Sequence, residues 1–291
     1  MRKIAFLGPA ATFTNLAVRH AFPEEEHIPY VTIPACMDAV INGDMDFAVV
    51  PIENTLEGTV NLTIDYLFHE ADLKIVAEVT EPIQQHLLVH KEYAYDWQKT
   101  EKVLSHPHAI AQCHKFLHSY FPDIPHEQAA STAAAAKYVK EHPEQRLAAI
   151  ANELSAQEYD LAIAKVNIHD YDFNHTRFIV LARQETELSL PLDRPRDKTT
   201  VVITLPSDRP GALHQVLSAF SWRNINLSKI ESRPLKTGLG NYFFILDIEQ
   251  RMDEVLLPGA FAEMEALGCK VHVLGSYRAY SIQPDEREAD K

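Results

Sequence analysis

Short apolar segments in this chain repeatedly run into turn-forming residues and then into a helical stretch, and this pattern constrains the fold more than any other feature. Strand–helix alternation of this kind continues to about residue 184 and predicts an α/β fold with mostly parallel sheets. We predict strands at residues 4–7, 47–50, 73–79, 86–90, 102–104, 147–150 and 177–182. We predict helices at residues 12–22, 61–69, 110–120, 133–141 and 153–159.

The remainder of the chain has a different organisation. Residues 185–198 are polar, carry mixed charges and contain prolines, which is typical of an interdomain linker. Beyond them we predict strands at 199–205, 226–231, 242–248 and 270–277, and helices at 211–222 and 256–267. This order is βαββαβ, which predicts a ferredoxin-like α+β unit at residues 199–280. Residues 281–291 are predicted to be a charged tail.

Composition and charge exclude several classes of protein. The 291 residues carry a formal net charge of -14, so the chain offers no basic face for nucleic acid. The cysteines are odd in number and far apart, which predicts neither a disulfide framework nor a zinc site. Because no apolar run is long enough for a signal peptide or a membrane span, we expect a cytoplasmic protein with no membrane partner.

Polar clusters stand where several predicted strands end and helices begin, at residues 8–14, 51–54, 105–107 and 130–132. In open α/β sheets, ligands bind outside the carboxyl ends of the strands, where helix N-termini present unpaired N–H groups. The clusters therefore predict a pocket for a small anion that needs few lysines or arginines. Taken singly, Ser105, Ser131 and Thr132 are better explained as helix N-caps alone, although capping and ligand binding are compatible.

Five stretches, in their order and spacing, resemble the prephenate dehydratase family. They are GPAATFT (8–14), PIENTLEGTV (51–60), SHPHAIAQC (105–113), STAAAA (131–136) and NHTRFIVL (174–181). One motif of this length would be weak evidence, whereas five in order are specific, and the resemblance covers nearly the whole chain. It implies a hydro-lyase that converts prephenate to phenylpyruvate, with loss of water and carbon dioxide, in phenylalanine biosynthesis.

The resemblance also implies an architecture. The catalytic region, residues 1–184, is expected to adopt a two-lobed α/β fold similar to type II periplasmic binding proteins. Lobe one would contain about residues 1–80 and 160–184, and lobe two about residues 81–159. The βαββαβ unit resembles an ACT domain, a regulatory module. Because the first predicted strand starts at residue 4, we expect no preceding chorismate mutase domain of the kind that bifunctional relatives carry.

By resemblance, Thr176 is the essential residue, and its hydroxyl would donate a hydrogen bond to the departing ring hydroxyl. Arg177 would bind a substrate carboxylate bidentately, and Phe178 would pack against the ring or anchor the strand. Which group supplies the proton stays open. The other expected substrate-binding residues are Thr12, Thr14, Asn54, Ser105, Ser131 and Thr132.

No metal or redox cofactor is expected, because aromatisation makes the implied reaction strongly favourable. His114 and His118 lie four residues apart on a predicted helix, a spacing that suits metal chelation, but the sequence offers no evident third ligand. His106 and His108 flank a proline in the SHPHAIAQC stretch and are weaker candidates for substrate contact.

The second unit is expected to sense phenylalanine. Its stretches 211–213 and 231–234 match phenylalanine-binding motifs of the family, and Gly211 would let the backbone approach a ligand. Family ACT domains pair side by side, so a homodimer or homotetramer is expected. The expected effector-binding residues are Gly211, Ala212, Leu213, Asn226, Glu231 and Ser232.

The chain departs from the family pattern at two positions, and two other functions stay open. Ala11 and Asp160 stand where the family usually has glycine. The chain could instead be an arogenate dehydratase, which relative rates on prephenate and arogenate would decide. It could also be a non-enzymatic amino-acid sensor, although the sequence shows no DNA-binding or secretion segment to provide an output.

Overall fold

The computed structural model of the protein describes residues 1–206, 210–235 and 242–283. The strands are β1 (Lys3–Leu7), β2 (Glu26–Tyr30), β3 (Phe47–Asn54), β4 (Gly58–Thr59), β5 (Lys74–Pro82), β6 (His86–Val89), β7 (Lys102–Ser105), β8 (His126–Gln128), β9 (Leu147–Ala151), β10 (Ala162–Lys165), β11 (His175–Ala182), β12 (Arg196–Thr204), β13 (Leu227–Pro234), β14 (Tyr242–Ile248) and β15 (Lys270–Ser281). The helices are α1 (Phe13–Ala21), α2 (Ile33–Ile41), α3 (Asn61–His69), α4 (Pro107–Gln112), α5 (His114–Tyr120), α6 (Thr132–Glu141), α7 (Glu153–Glu158), α8 (Ala212–Ser221) and α9 (Leu256–Ala266), with a 3₁₀ segment at Lys91–Lys99.

Lobe one contains a mixed sheet with the strand order β2-β1-β3-β11-β5. β1 pairs parallel with β2 and β3, whereas β11 pairs antiparallel with both β3 and β5. Four of these five strands run in the same direction, which fits the prediction of a mostly parallel sheet. β11 runs against the other four, and it enters lobe one only after the chain has returned from lobe two. An inserted antiparallel strand in this position is the type II periplasmic-binding-protein arrangement that the resemblance implied.

Lobe two has a separate sheet with the order β10-β6-β9-β7-β8. The chain enters lobe two between β5 and β6 and leaves it between β10 and β11. The expected lobe boundary at residue 160 is therefore wrong. β10 hydrogen-bonds to β6, and Ile168 packs in the apolar core of lobe two, so the return to lobe one begins after these residues.

Polar side chains begin the helices that face the space between the lobes. The Thr12 hydroxyl accepts a hydrogen bond from the Asn15 N–H at 3.3 Å, and the Ser131 hydroxyl accepts one from the Ala134 N–H at 3.0 Å. These caps satisfy backbone donors that a helix N-terminus otherwise leaves unpaired. The predicted helix at 110–120 is divided into α4 and α5, because Cys113 leaves the helical conformation with φ -116° and ψ 22°.

The C-terminal unit is a ferredoxin-like βαββαβ fold, as the sequence predicted. Its strands have the order β13-β14-β12-β15, and α8 and α9 cover one face of the sheet. The predicted linker is shorter than expected, since β12 already begins at Arg196 and the side chains of Leu188 and Leu190 are buried against lobe one. β15 continues to Ser281, and residues 284–291 of the predicted tail lie outside the described residues.

The C-terminal unit and lobe one share one continuous sheet, because β15 pairs parallel with β5. Gly275 permits this approach: a Cβ at this position would lie 2.1 Å from the carbonyl oxygen of Ile75. The other face of the sheet packs on lobe one, where the rings of Phe68 and Phe243 stack with centroids 4.4 Å apart. The two units therefore form one body rather than two domains joined by a free linker.

Within the part of the chain that the structure describes, no helix combines the length and the apolar character needed to cross a membrane.

Candidate functional site

A cleft of about 690 Å³ lies between the two lobes. Lobe one contributes the ends of β1, β3 and β11 and the N-terminus of α1 to its wall. Lobe two contributes the N-termini of α4 and α6, and the crossing between β5 and β6 closes one side. The polar residues of the wall are Thr12, Thr14, Asn54, Glu57, Thr59, Gln85, His106, His108, Gln112, Ser131, Thr132 and Thr176.

Thr176 and Asn54 form a hydrogen-bonded pair on the lobe-one wall. They are partners in the β11–β3 ladder, and the Asn54 Nδ2 donates to Thr176 Oγ1 at 2.8 Å. Asn54 is itself held by its side-chain oxygen, which accepts from the N–H groups of Leu56 and Glu57 at 2.9 and 3.0 Å. The loop after β3 therefore determines the orientation of the amide that reaches Thr176.

This pair orients the Thr176 hydroxyl as a donor. A hydroxyl has one hydrogen to donate and two lone pairs that accept. One lone pair of the Thr176 hydroxyl accepts the hydrogen bond that the Asn54 amide donates. The hydroxyl hydrogen is then left to a partner in the cleft. Thr176 lines the cleft and is 9% exposed. A hydrogen-bond acceptor that enters the cleft beside β11 can therefore receive this hydrogen.

The GPAATFT stretch forms a tight turn that leads into α1. Ala11 has a φ of 64°, a left-handed conformation, and its N–H donates to the Asn15 side-chain oxygen at 3.0 Å. The Ser155 hydroxyl of lobe two donates to the Ala11 carbonyl at 2.9 Å. Asp160, the second departure from the family pattern, also has a positive φ of 54°. The usual glycines thus occupy positions where left-handed backbone is required, and here alanine and aspartate adopt it.

The cleft wall carries helix N-termini in place of basic side chains. Among the residues that the structure describes, no lysine or arginine lines the cleft. α1 and α6 begin at its edges, at Thr12 and Ser131, and their first N–H groups favour negatively charged ligands.

His106 also lines the cleft. Burial, and to a smaller extent the neighbouring His108, lowers the pKa of His106 below its usual value, which favours the neutral ring.

Ser105 does not reach the cleft. Its side chain is fully buried in the lobe-two sheet, and its hydroxyl donates to the Ile150 carbonyl at 2.6 Å. The expectation that Ser105 binds substrate is therefore wrong. Its hydroxyl joins β7 to β9 inside lobe two.

Arg177 also lies away from the cleft. Neighbouring residues of a strand point to opposite faces, so Thr176 and Phe178 face the cleft while Arg177 faces the C-terminal unit. There its guanidinium donates to carboxylates of Glu53, Glu78 and Asp247. The expectation that Arg177 binds a substrate carboxylate in the cleft is therefore wrong, since its donors are engaged on the opposite face.

Two glutamines line the cleft that were not predicted from the sequence to be site residues. The side chain of Gln85 is 2% exposed and lines the cleft, and within the described residues its Oε1 has no hydrogen-bond partner. Gln112 is also mostly buried and lines the lobe-two side. For Gln112 the available signal was its place within the SHPHAIAQC stretch, whereas Gln85 stands between Gln84 and His86 and has no comparable signal in the sequence.

Glu81 is the cross-strand partner of Thr176 on β5 but does not line the cleft. Burial raises the pKa of Glu81, although a hydrogen bond of 3.0 Å from His20 opposes this. The same hydrogen bond raises the pKa of His20. This hydrogen bond joins α1 to β5.

The expected effector-binding residues lie on two sides of the C-terminal sheet. Gly211 caps α8 with a φ of 84°, and Ala212 and Leu213 follow it on the helical side. Asn226 lines a shallow groove of about 490 Å³ between α8 and β13. The Glu231 carboxylate instead faces lobe one and accepts from the Thr59 hydroxyl at 2.5 Å. Ser232, the next residue of β13, is exposed.

Over residues 1–206, 210–235 and 242–283, no group of three or more His, Cys, Asp and Glu side chains is arranged to hold a metal ion. The rings of His114 and His118 are stacked with centroids 6.1 Å apart.

Fold and cleft together define a class: a two-lobed type II binding fold with a threonine-centred hydrogen-bonding site, joined to an ACT-type regulatory unit. A family model for prephenate dehydratase matches residues 4–186, and an ACT-domain model matches residues 199–257. The chain belongs to the prephenate dehydratase family.

Similar proteins agree with this assignment. The chain is 58% identical to the prephenate dehydratase of Bacillus subtilis (strain 168) over 285 residues, which covers 96% of this chain and 100% of that protein. A structure of prephenate dehydratase from Arthrobacter aurescens in complex with L-Phe superposes with a TM-score of 0.82 at 34% identity, covering 94% of this chain and 89% of that one.

One further structural relative carries a different description. The structure of GqqA, described as a novel type of quorum quenching acylase, superposes with a TM-score of 0.83 at 28% identity, covering 96% of this chain and 98% of that one. Fold alone therefore does not decide the chemistry, and the assignment depends on the motifs that line the cleft.

Proposed function

We propose that this protein converts prephenate to phenylpyruvate, carbon dioxide and water in the interlobe cleft, with uptake of one proton. The hydrogen bond from Asn54 to Thr176 is the observation that carries the proposal. It leaves the Thr176 hydroxyl hydrogen free to bind the ring oxygen that departs. A hydrogen bond that strengthens as negative charge develops on this oxygen stabilises the transition state more than the bound substrate.

Substrate carboxylates are bound, in this proposal, by backbone N–H groups rather than by an arginine. Thr12 and Thr14 belong to the N-terminal turn of α1, and Ser131 and Thr132 begin α6 across the cleft. Each helix N-terminus presents several N–H groups and a partial positive charge. One carboxylate at each would span the cleft and hold the ring between the lobes, with Phe178 packed beneath it.

Gln85 is assigned a hydrogen bond to the substrate. A buried amide oxygen without a partner is unfavourable in the free protein, and a ligand that supplies a donor removes this cost. The ring hydroxyl is a suitable donor, since its oxygen accepts from Thr176 while its hydrogen is free to bind Gln85. Gln112 is assigned to the lobe-two side of the same pocket.

The C-terminal unit is proposed to regulate the catalytic region, residues 1–184, by binding phenylalanine. The Arthrobacter aurescens relative was solved with L-Phe, and the ACT-type fold of this chain supports the same effector here. Gly211, Ala212, Leu213, Asn226 and Ser232 are the proposed contacts. A homodimer or homotetramer, formed through the exposed face of this unit, would complete the effector site.

The deciding experiment uses the full chain and measures phenylpyruvate formation from prephenate, with phenylalanine present or absent. A separate assay measures phenylalanine formation from arogenate. We expect turnover of prephenate to exceed that of arogenate and to respond to phenylalanine. Faster turnover of arogenate would reassign the substrate. Absence of turnover on both substrates, together with intact phenylalanine binding, would instead support a sensor.

A further inference from the structure

Thr176 and Asn54 are the catalytic pair of the proposed mechanism. Each has a strand neighbour on the opposite face of the sheet. On β11, Thr176 faces the cleft and Arg177 faces the C-terminal unit. On β3, Asn54 faces the cleft and Glu53 faces the C-terminal unit. The ladder pairs Thr176 with Asn54 and Arg177 with Glu53, so the catalytic pair lies directly beside an ion pair.

A β-bulge separates this ion pair from the rest of the β11–β3 ladder. The register shifts between Arg177, which pairs with Glu53, and Phe178, which pairs with Pro51. A bulge leaves one residue without a partner and re-aims the side chains that follow. Beyond it the strand ends pair through Thr176 and Asn54, and the Thr55 N–H donates to the His175 carbonyl at 2.9 Å. Arg177 and Glu53 lie between this short paired end and the bulge, so their contacts act directly on the end that carries Thr176 and Asn54.

Arg177 joins these strand ends to the C-terminal unit. Its Nη2 donates to Glu78 Oε2 at 2.7 Å and to Asp247 Oδ2 at 2.6 Å, and its Nη1 donates to Glu53. Glu78 lies on β5 and Asp247 on β14, and both carboxylates are 2% exposed. One guanidinium therefore bridges two strands of lobe one and a strand of the regulatory unit.

Further contacts extend the same junction. Lys229 of β13 lies 3.0 Å from Glu53 Oε1, and Lys198 of β12 lies 2.7 Å from Glu78 Oε1. Thr200 donates to the second oxygen of Asp247 at 2.8 Å, so that carboxylate is fixed from within the regulatory sheet. Within the described residues, β12, β13 and β14 of the regulatory unit therefore each place a charged side chain against a residue of β3, β5 or β11.

We propose that Arg177 is a positioning residue that holds Thr176 and Asn54 in hydrogen-bonding register and transmits the state of the regulatory unit to them through Asp247. This inference rests on the proposed dehydratase function. A small movement of β14 relative to lobe one changes the Arg177 contacts and, through the strand, the Thr176–Asn54 distance. Arginine suits this position because its planar fork reaches several carboxylates at once, which a lysine cannot do.

The first test uses Arg177→Lys in the full chain, with kcat and KM measured on prephenate. A positioning role predicts that kcat falls by about tenfold or more while KM changes by less than about threefold, because the cleft surface is unchanged. A role in substrate binding predicts the opposite split. A KM that rises by about tenfold at unchanged kcat would overturn the proposal.

The second test uses Asp247→Asn, which keeps the shape of the side chain and removes the charge that faces Arg177. Phenylalanine is expected to bind with an unchanged Kd by calorimetry, while its effect on kcat/KM shrinks to within about twofold. The matched control is Asp65→Asn, which removes the charge that forms the 2.8 Å ion pair between α3 and Arg233 of β13 and keeps the Arg177–Asp247 contact. This control is expected to keep the full phenylalanine response.

Two results would contradict the coupling. One is a full phenylalanine response in Asp247→Asn, and the other is an equal loss of response in Asp65→Asn. Hydrogen exchange separates this inference from the proposed function. Even if the unmodified protein formed no phenylpyruvate, phenylalanine should alter amide exchange at residues 174–178 in the unmodified protein and not in Asp247→Asn. An exchange pattern that Asp247→Asn leaves unaltered would overturn the inference by itself.

Discussion

Asn54 donates a hydrogen bond to the hydroxyl oxygen of Thr176 at 2.8 Å, and the same amide is held by two N–H groups of the loop that follows β3. In the proposed mechanism the threonine therefore acts as a prepared donor rather than as a nucleophile or a base. Pre-oriented donors cost no reorganisation at the moment of reaction, which is why they stabilise developing charge effectively.

Removal of the Thr176 hydroxyl should abolish most turnover. We expect Thr176→Ala to lower kcat by about 10²-fold or more, since it deletes the donor to the leaving oxygen, whereas Thr176→Ser should retain activity within about tenfold. Phenylalanine binding, measured by calorimetry, should be unaffected in both variants. Near-normal kcat in the alanine variant would remove Thr176 from the mechanism.

Reversal of the hydrogen bond to Thr176 provides a second test. Asn54→Asp keeps the oxygen that accepts from Leu56 and Glu57 but replaces the donor with an acceptor. The Thr176 hydroxyl would then donate to the new carboxylate instead of the substrate, and kcat should fall by about 10²-fold. Asn42→Asp, at the C-terminus of α2, adds the same charge far from the cleft and should leave kcat unchanged. An active Asn54→Asp enzyme would refute the proposed donor geometry.

Gln85 should show opposite effects on stability and on substrate binding. Gln85→Leu removes a buried amide oxygen that has no partner in the described structure, so the free energy of unfolding should rise by about 1 kcal/mol. The KM for prephenate should rise by about tenfold, because the substrate loses a hydrogen bond. Urea denaturation and steady-state kinetics measure the two effects. A variant with unchanged KM would show that Gln85 does not contact the substrate.

His86 should make the protein sensitive to mild acid. Burial, with a smaller contribution from His169, lowers the pKa of His86 from 6.5 to about 4, and the neutral ring accepts from the Asn167 N–H at 3.0 Å. A depressed pKa in the folded state contributes stability that is present above pH 6.5 and is lost as the pH falls toward 4. Between pH 6.5 and 5 this loss amounts to about 2 kcal/mol.

The His86 contribution is measured by urea denaturation at both pH values. His86→Gln keeps an acceptor for the Asn167 N–H and cannot gain a charge, so its stability should fall less than that of the unmodified protein over this range. His126→Gln, at an exposed position of β8, controls for the removal of a histidine. Equal pH dependence in the His86 variant and the unmodified protein would show that His86 is not buried in the neutral form.

Gly275 should be indispensable for the shared sheet. Gly275→Ala places a Cβ 2.1 Å from the Ile75 carbonyl oxygen, so β15 and β5 must separate, at a cost of about 1–3 kcal/mol. Gly259→Ala in α9 is the matched control, because its Cβ would lie 3.6 Å from Arg223 and alanine favours a helix interior. Thermal denaturation should therefore show a lower Tm for the first variant and an equal or higher Tm for the second. A stable Gly275→Ala protein would contradict the close approach.

Much of the architecture was predictable from local pattern. α3 was predicted with its observed bounds, and both the βαββαβ order and the type II fold are confirmed. β2 and β8 were missed because their residues are polar and β2 contains Pro29, so neither has an apolar run. The residues of β11 do not indicate its antiparallel direction, because that direction depends on the side from which the chain returns to lobe one after lobe two.

The sequence by itself determined the family, the motifs of the cleft and the place of Thr176 at a strand end, because short-range pattern and motif order are properties of the chain. Tertiary structure alone decided which neighbour of Thr176 faces which partner. Strand alternation sends Arg177 away from the cleft, and only the packing of β14 against lobe one places Asp247 there to receive it. The arginine beside Thr176 thereby changes from an expected substrate ligand into a bridge between lobe one and the C-terminal unit.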